Sequence, residues 1–129
     1  MEIEDYCLYT KEHEWVNIEE SIATVGITDY AQDALGDITF VELPEVGIEV
    51  EQFEHFTSVE SVKAASDIFA PVSGKIIEVN SDLETNPGLI NKGCYEKGWI
   101  AKIEVSDLAE RSNLMSPEEY RQYLTSLEE

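Results

Sequence analysis

Lys63 is the residue of this chain best placed to carry chemistry, because of its neighbours. It stands in the run Val59-Glu60-Ser61-Val62-Lys63-Ala64-Ala65-Ser66-Asp67, between small or apolar residues, and the next lysine, Lys75, lies beyond Pro71 and Gly74. An amine among small side chains leaves room for another protein to approach and modify it. Most lysines are plain surface residues, and Lys63 taken alone would be read that way. Other chemistry finds little support. A catalytic centre needs a nucleophile with a base, a carboxylate pair in a cleft, or a metal site. In so acidic a chain, adjacent pairs such as Glu19-Glu20 and Glu118-Glu119 arise by chance. There is no glycine-rich phosphate loop and no Gly-x-Ser-x-Gly elbow. Cys7 and Cys94 form no metal-type spacing, and with only His13 and His55 besides they make no zinc cluster. His13, flanked by Glu12 and Glu14 and close to Trp15, reads as a structural or cleft-lining histidine. No metal site and no catalytic residue is expected.

A carrier needs less than an enzyme: one presented amine, a rigid base beneath it and a surface that shelters the attached group. The elements that would supply these are mostly strands. Glu14-Trp15-Val16-Asn17-Ile18 alternates as a strand, Glu19-Glu20 turns the chain, and Ser21 to Ile27 returns it. Thr28 caps a short helix that runs to Ala34 or Leu35, Asp29 complements its dipole and Gly36 ends it. Asp37 to Leu43 is a strand stopped by Pro44. Val50 to Ala65 is ambiguous on local rules: propensity allows a helix, while Phe56-Thr57-Ser58-Val59 pulls toward strand. Pro71 and Gly74 punctuate a turn before a strand that ends at Val79, Asn80 to Lys97 reads as loop, and Gly98 to Val105 as a half-buried strand. Ser116 and Glu119 form a capping box with Pro117 at the first helical position, and Tyr120, Tyr123, Leu124 and Leu127 make one apolar stripe expected to pack on the sheet.

Composition bounds the rest. A chain of 129 residues with 43% hydrophobic residues suits a single domain, 1–129, with one substantial core. The net charge of −20, from 8 Lys+Arg against 28 Asp+Glu, repels phosphate backbones and anionic lipid, so neither nucleic acid nor membrane is an expected partner. It favours fast encounters with basic protein patches and keeps a monomer soluble. The cysteines read as reduced thiols. The acidic start, Met1-Glu2-Ile3-Glu4-Asp5, fits neither a secretory signal nor an Arg-rich transit peptide. A cytoplasmic protein is expected, or a mitochondrial-matrix one if this is a processed eukaryotic form.

Ordered blocks along the chain narrow the carrier reading. They are His13-Glu14-Trp15-Val16, Val25-Gly26-Ile27-Thr28, Ala31-Gln32, Leu35-Gly36-Asp37, Phe40-Val41-Glu42-Leu43-Pro44, Glu60-Ser61-Val62-Lys63-Ala64, Ala70-Pro71-Val72-Ser73-Gly74, Glu78-Val79-Asn80, Pro87-Gly88-Leu89-Ile90-Asn91 and Gly98-Trp99. In this order, from about Tyr9 to Tyr123, they resemble the glycine cleavage system H proteins. The resemblance implies a mainly β barrel-sandwich hybrid of the lipoyl-domain type, with a short internal helix and a C-terminal helix. It places a hairpin tip at Val62-Lys63, between a strand before Ser61 and one after Ala64. It implies lipoate on Lys63, installed by a lipoate ligase or lipoyltransferase. In that family the lipoyl arm takes an aminomethyl group from a pyridoxal-phosphate glycine decarboxylase and passes it to a tetrahydrofolate-dependent aminomethyltransferase, and a dihydrolipoamide dehydrogenase reoxidises it. It also suggests that the loaded arm returns to a cleft near Glu14 and Asp67, where a carboxylate can pair with a cationic amine. His13 is a further cleft candidate. Many family members carry a small residue where this chain has Glu12, and a proline is common where it has Cys94.

Three other readings stand beside this one. A lipoyl relay would use the same lysine to pass lipoate to 2-oxoacid dehydrogenase complexes. A biotin carrier shares the hairpin architecture, but biotinyl lysines are typically flanked by Met, and Lys63 has Val62 and Ala64. An unmodified acidic binding module would carry no adduct on Lys63.

Overall fold

The structure is a computed structural model that describes residues 1–127. Nine strands, all paired antiparallel, form two sheets among these residues. The larger has the order β1 (Leu8–Tyr9), β2 (Glu14–Glu19), β3 (Ile22–Ile27), β9 (Ala101–Val105), β8 (Gly74–Val79), β5 (Glu49–Val50). The smaller is β4 (Ile38–Glu42), β6 (His55–Ser61), β7 (Ala65–Phe69). This is the mainly β, two-sheet architecture expected of a lipoyl-domain-type carrier. Neither sheet closes on itself.

Alternation explains the layering. In the small sheet Val41, Val59 and Ile68 are buried, while Glu42, Glu60 and Asp67 are exposed. The large sheet answers with Val16, Ala23, Val25, Ile76 and Ile103, each with 0% exposure. Apolar area removed from water is worth about 25 cal/mol per Å2, so these inward rows fix the registers as well as the stability. Trp15 lies across Gly26 in the β2–β3 pair, and a Cβ at Gly26 would stand 2.7 Å from the indole. Only glycine fits under that ring, whose Nε1 donates to the Cys94 carbonyl at 2.9 Å.

The two helices foreseen from caps are present. α1 (Asp29–Leu35) begins at Thr28, whose Oγ1 accepts from the Ala31 amide at 3.3 Å. It ends at Gly36, whose amide donates to the Gln32 carbonyl at 3.0 Å. The helix Pro117–Leu127 opens with the reciprocal capping box: the Ser116 amide donates to Glu119 Oε1 at 2.9 Å and the Glu119 amide to Ser116 Oγ at 3.1 Å. Its stripe is only partly used. Tyr120 and Leu124 are buried, but Leu127 is 44% exposed, because the last turn runs beyond the two-residue β1 that the helix packs on.

Local rules failed where turn and helix signals coincide. Asn80 to Lys97 is not all loop: it holds two single-turn helices, α2 (Asp82–Thr85) and α3 (Leu89–Lys92), each burying one side chain, Leu83 and Ile90. The C-terminal helix is thus α4. The last strand starts at Ala101 rather than Gly98, since Gly98 fits against the α3–loop backbone, with the Ile90 Cα only 2.7 Å from where a Cβ would stand. The strands β1 and β5 and a 3-10 turn at Leu108–Asn113 carried too few residues or too weak a pattern to be foreseen.

Candidate functional site

Lys63 is exposed at the tip of the β6–β7 hairpin. The tip has no Asn-Gly turn; a serine side chain organises it instead. Ser61 Oγ accepts from the amides of Lys63 and Ala64, both at 3.1 Å, and donates to the Ala64 carbonyl at 3.1 Å. The Ser61 amide also donates to the Ala64 carbonyl at 2.8 Å. A hydroxyl that satisfies turn amides substitutes for the missing turn residues.

The tip rests on the α1–β4 junction. The Val62 amide donates to the Asp37 carbonyl at 3.1 Å. Gly36, at φ +77° and ψ −157°, occupies a region that glycine alone adopts freely. A Cβ there would lie 3.5 Å from Lys63 Cε and 3.6 Å from Val62 Cγ2, so the lysine stem runs over Gly36. Asn91 pins the junction from below: its Nδ2 donates to Gln32 Oε1 and to the Gly36 carbonyl, and its Oδ1 accepts from the Ile38 amide, all at 2.9 Å. Among the described residues Lys63 Nζ forms no ion pair. Val62, beside it, is 67% exposed.

The second part of the site lies at the far end of β7. From Ala65 to Phe69 the strand advances about 13 Å at ~3.3 Å per residue. Phe69 borders an open cavity of about 460 Å3 that Tyr9, Thr10, Lys11, Glu12, Phe53, Asn113 and Met115 also line. Glu14 sits directly behind this wall with 1% exposure. Its carboxylate accepts from the Thr10 hydroxyl and, at 3.2 Å, from the Phe69 amide. The Thr10 hydroxyl is oriented by its own contacts: Oγ1 accepts from the Glu12 and Glu14 amides at 3.2 and 3.1 Å, which leaves its proton for Glu14. Burial disfavours charge on Glu14 and outweighs these two donors, so its pKa is pushed up to about 7, with Glu12 adding to the rise.

The other two candidates sit differently. Asp67 is on the exposed face of β7, 3.4 Å from His55 Nε2. It lies between the lysine tip and Phe69 along the strand but does not line the cavity. His13, at φ +69°, turns its ring into an aromatic cluster with Tyr30 and Tyr123. Its Nδ1 and Thr28 Oγ1 share the Tyr120 hydroxyl at 2.9 and 2.8 Å, tying β2, α1 and α4 together. Burial lowers the pKa of His13. Cys7 and Cys94 are free and buried, with thiols pushed up to about 12 by desolvation.

Sequence reasoning passed over Ser61 and Asn91 as positioning residues. The signal for Ser61 was present, a serine two residues before the tip of a turn lacking glycine. Asn91 had none, because its three partners lie 53 to 59 residues away.

Known proteins similar to this chain bear on what a presented lysine on a two-sheet scaffold is for. The family model described as "Glycine cleavage H-protein" matches residues 7–127. The glycine cleavage system H protein of Thermotoga maritima is 54% identical over 115 residues, covering 89% of this chain and 93% of its own. That of a Staphylococcus epidermidis strain is 53% identical over 116 residues, covering 90% and 92%. The Halothermothrix orenii protein of the same name is 49% identical over 128 residues, covering 99% and 100%. The crystal structure of a glycine cleavage system H protein from Mycobacterium marinum superposes with a TM-score of 0.86 at 38% identity, covering 93% of this chain and 97% of that one. Sequence and fold agree: the chain belongs to the glycine cleavage H-protein family.

Proposed function

We propose that this chain is the lipoyl-bearing shuttle of the glycine cleavage system, a non-catalytic component in which Lys63 holds lipoate through an amide and the Thr10–Phe69 cavity shelters the loaded arm. The observation that carries this reading is the lysine itself: exposed, free of ion pairs among the described residues, and fixed by a tied turn, in a chain of this family. The residues fit the group. Ala64 and Ala65 leave access to the amine, and the stem over Gly36 limits its sweep. When bound, lipoate supplies a reversible dithiol that carries a one-carbon amine and two electrons between enzymes.

The chain's own residues do the rest. Ser61, Gly36 and Asn91 present Lys63 in one place. Glu12 offers a carboxylate at the cavity's solvent-exposed edge, where Lys11 opposes it, and Glu14 a second one buried behind the wall, so a cationic amine entering there is drawn chiefly by Glu14 in its ionised form. Tyr9, Phe69 and Met115 supply apolar walls that limit water around it. Asp67 provides a carboxylate on the path along β7. His13 braces the start of β2 through Tyr120 and so fixes where Glu14 stands. The partners in this reading are the glycine decarboxylase, the aminomethyltransferase, the dihydrolipoamide dehydrogenase, and the ligase or lipoyltransferase that modifies Lys63.

Peptide mass spectrometry of the protein from its own cells is the direct test, with a lipoyl increment expected on the Lys63 peptide. In a reconstituted system, Lys63→Arg should keep the fold and abolish glycine cleavage. Full activity of that variant, or an unmodified Lys63 in cells that lipoylate other proteins, would sink the assignment.

A further inference from the structure

Three residues other than glycine have positive φ among those described: His13, Glu20 and Phe53. Fold accounts for two of them. Glu20 turns the β2–β3 hairpin, and His13 places its ring in the aromatic cluster. Phe53, at φ +67°, has no such return. The left-handed region is unfavourable for a bulky side chain, and the ring is 50% exposed. Glycine there would serve folding better.

The turn around Phe53 is nevertheless held from every side. The Phe53 amide donates to the Ala70 carbonyl at 2.6 Å, and the Ala70 amide donates to the Glu54 carbonyl at 2.8 Å. The Gln52 amide donates to Ser73 Oγ at 2.8 Å, and its Nε2 donates to the Pro71 carbonyl at 2.9 Å. Asn113 Nδ2 donates to Gln52 Oε1 at 2.9 Å. A costly conformation persists where its surroundings over-determine it, and such sites gather at ligand clamps. The ring so held lines the cavity together with Phe69, Tyr9 and Met115, while Thr10, Lys11, Glu12 and Asn113 give the same cavity a polar end.

We propose that Phe53 is a positioning residue that closes this cavity over the carbon and sulfur portion of the returned arm, leaving the polar end to its amine. The proposal rests on the carrier reading above. A cavity apolar on one side and polar on the other, with Glu12 beside Lys11 and Glu14 behind the wall, suits an arm whose stem is apolar and whose load is an amine. Sulfur also packs favourably against aromatic edges. The ring then has its partner only when the arm is home.

The test uses the full chain, lipoylated at Lys63 and loaded with the aminomethyl group by its glycine decarboxylase. Phe53→Gly keeps the backbone conformation and removes the ring; Phe53→Leu keeps an apolar side chain. The loaded group should be lost about two- to tenfold faster in Phe53→Gly, the range sulfur–aromatic contacts span, with Phe53→Leu between. In proton NMR the arm's methylene signals should carry a ring-current displacement in the wild type that Phe53→Gly abolishes. Before loading, Phe53→Gly should melt no lower than the wild type, which separates loss of a clamp from loss of structure. Equal loss rates with unchanged arm signals would overturn the proposal. A wild-type chain that accepts no lipoyl group on Lys63 would overturn the carrier reading, and this proposal with it.

Discussion

Moving the pH across 7 should switch the cavity's hold on a cationic arm, and Glu14 is the reason. Burial raises this carboxyl to about 7, although the Thr10 hydroxyl and the Phe69 amide both donate to it. Only the ionised form attracts a cationic amine. A group titrating near 7 is about one-tenth ionised at pH 6 and about nine-tenths at pH 8, so the attraction that depends on it changes about tenfold, or ~1.4 kcal/mol. The assay is the lifetime of the aminomethyl-loaded protein at a series of pH values, in the wild type and in Glu14→Gln. The ratio of the two lifetimes cancels the pH dependence of hydrolysis itself. That ratio should climb up to about tenfold with a midpoint near 7. By reciprocity the docked amine draws the proton off Glu14, so loading should release protons most strongly just below that midpoint. A ratio that stays flat from pH 6 to 8 would refute the coupling and remove Glu14 from the cleft.

The same ionisation acts on stability, with the sign fixed by the direction of the shift. The folded-state pKa of Glu14 is above the unfolded value of 4.5, so its contribution is fully present below 4.5 and is lost as pH rises toward 7. His13 acts the other way: burial holds its folded pKa below the ordinary histidine value of 6.5, so the stability linked to it is lost as pH falls below that value. Before lipoylation, Glu14→Gln should therefore gain on the wild type as pH is raised from 4.5 to 7 in urea titrations. A constant difference over that interval would show that burial does not set the charge of Glu14.

Ser61→Ala removes the acceptor for the Lys63 and Ala64 amides and should slow lipoylation of Lys63 by about two- to fivefold while speeding amide exchange at the tip; unchanged rates of both would deny the turn a presenting role. Asn91→Ala strands the Ile38 amide and the Gly36 carbonyl and should cost ~2–3 kcal/mol in urea unfolding; a cost under ~0.5 would mean water replaces the side chain freely. Tyr120→Phe keeps the stack on Tyr9 but strips the hydroxyl shared by His13 and Thr28, for an expected loss of ~1–2 kcal/mol and a fall of several degrees in Tm; no change in Tm would remove that hydroxyl from the fold's support.

What the sequence disclosed divides along physical lines. Caps depend on residues three positions apart, and Thr28 and the Ser116–Glu119 box were legible for that reason. β2 was legible from the alternation of residues Glu14 to Ile18 and β3 from its β-branched run, because both signals lie within a single strand. β6 was ambiguous because its strand state is decided by partners far along the chain: Val59 pairs with Val41 on one side and Ser66 on the other. The site divides in the same way. The exposed hairpin tip at Lys63 was legible from the ordered blocks around it, with its small neighbours as the local signal. The cavity was not, because Tyr9, Phe53, Phe69 and Met115 come from four separate stretches. Phe53 could not be foreseen at all, since nothing about phenylalanine announces a left-handed backbone.

In the proposed carrier reading, the strength of the cavity's grip follows from what a shuttle must do. An arm held too tightly would not leave for the next enzyme, and one held too loosely would lose its load to water. The cavity is open, its buried carboxylate is only partly ionised near neutral pH, and its second carboxylate, Glu12, is exposed to solvent that screens it. Each feature keeps the hold modest. A gain of ~1.4 kcal/mol from Glu14 multiplies the sheltered population about tenfold, yet it is small beside what even a weak protein interface supplies, since a millimolar complex already corresponds to about −4 kcal/mol. A docking enzyme can therefore draw the arm out at no further cost to the fold. Lys63, tied down at the other end of β7, does not have to move for this to happen: the Ser61 turn, Gly36 and Asn91 hold the pivot while the arm alone changes place.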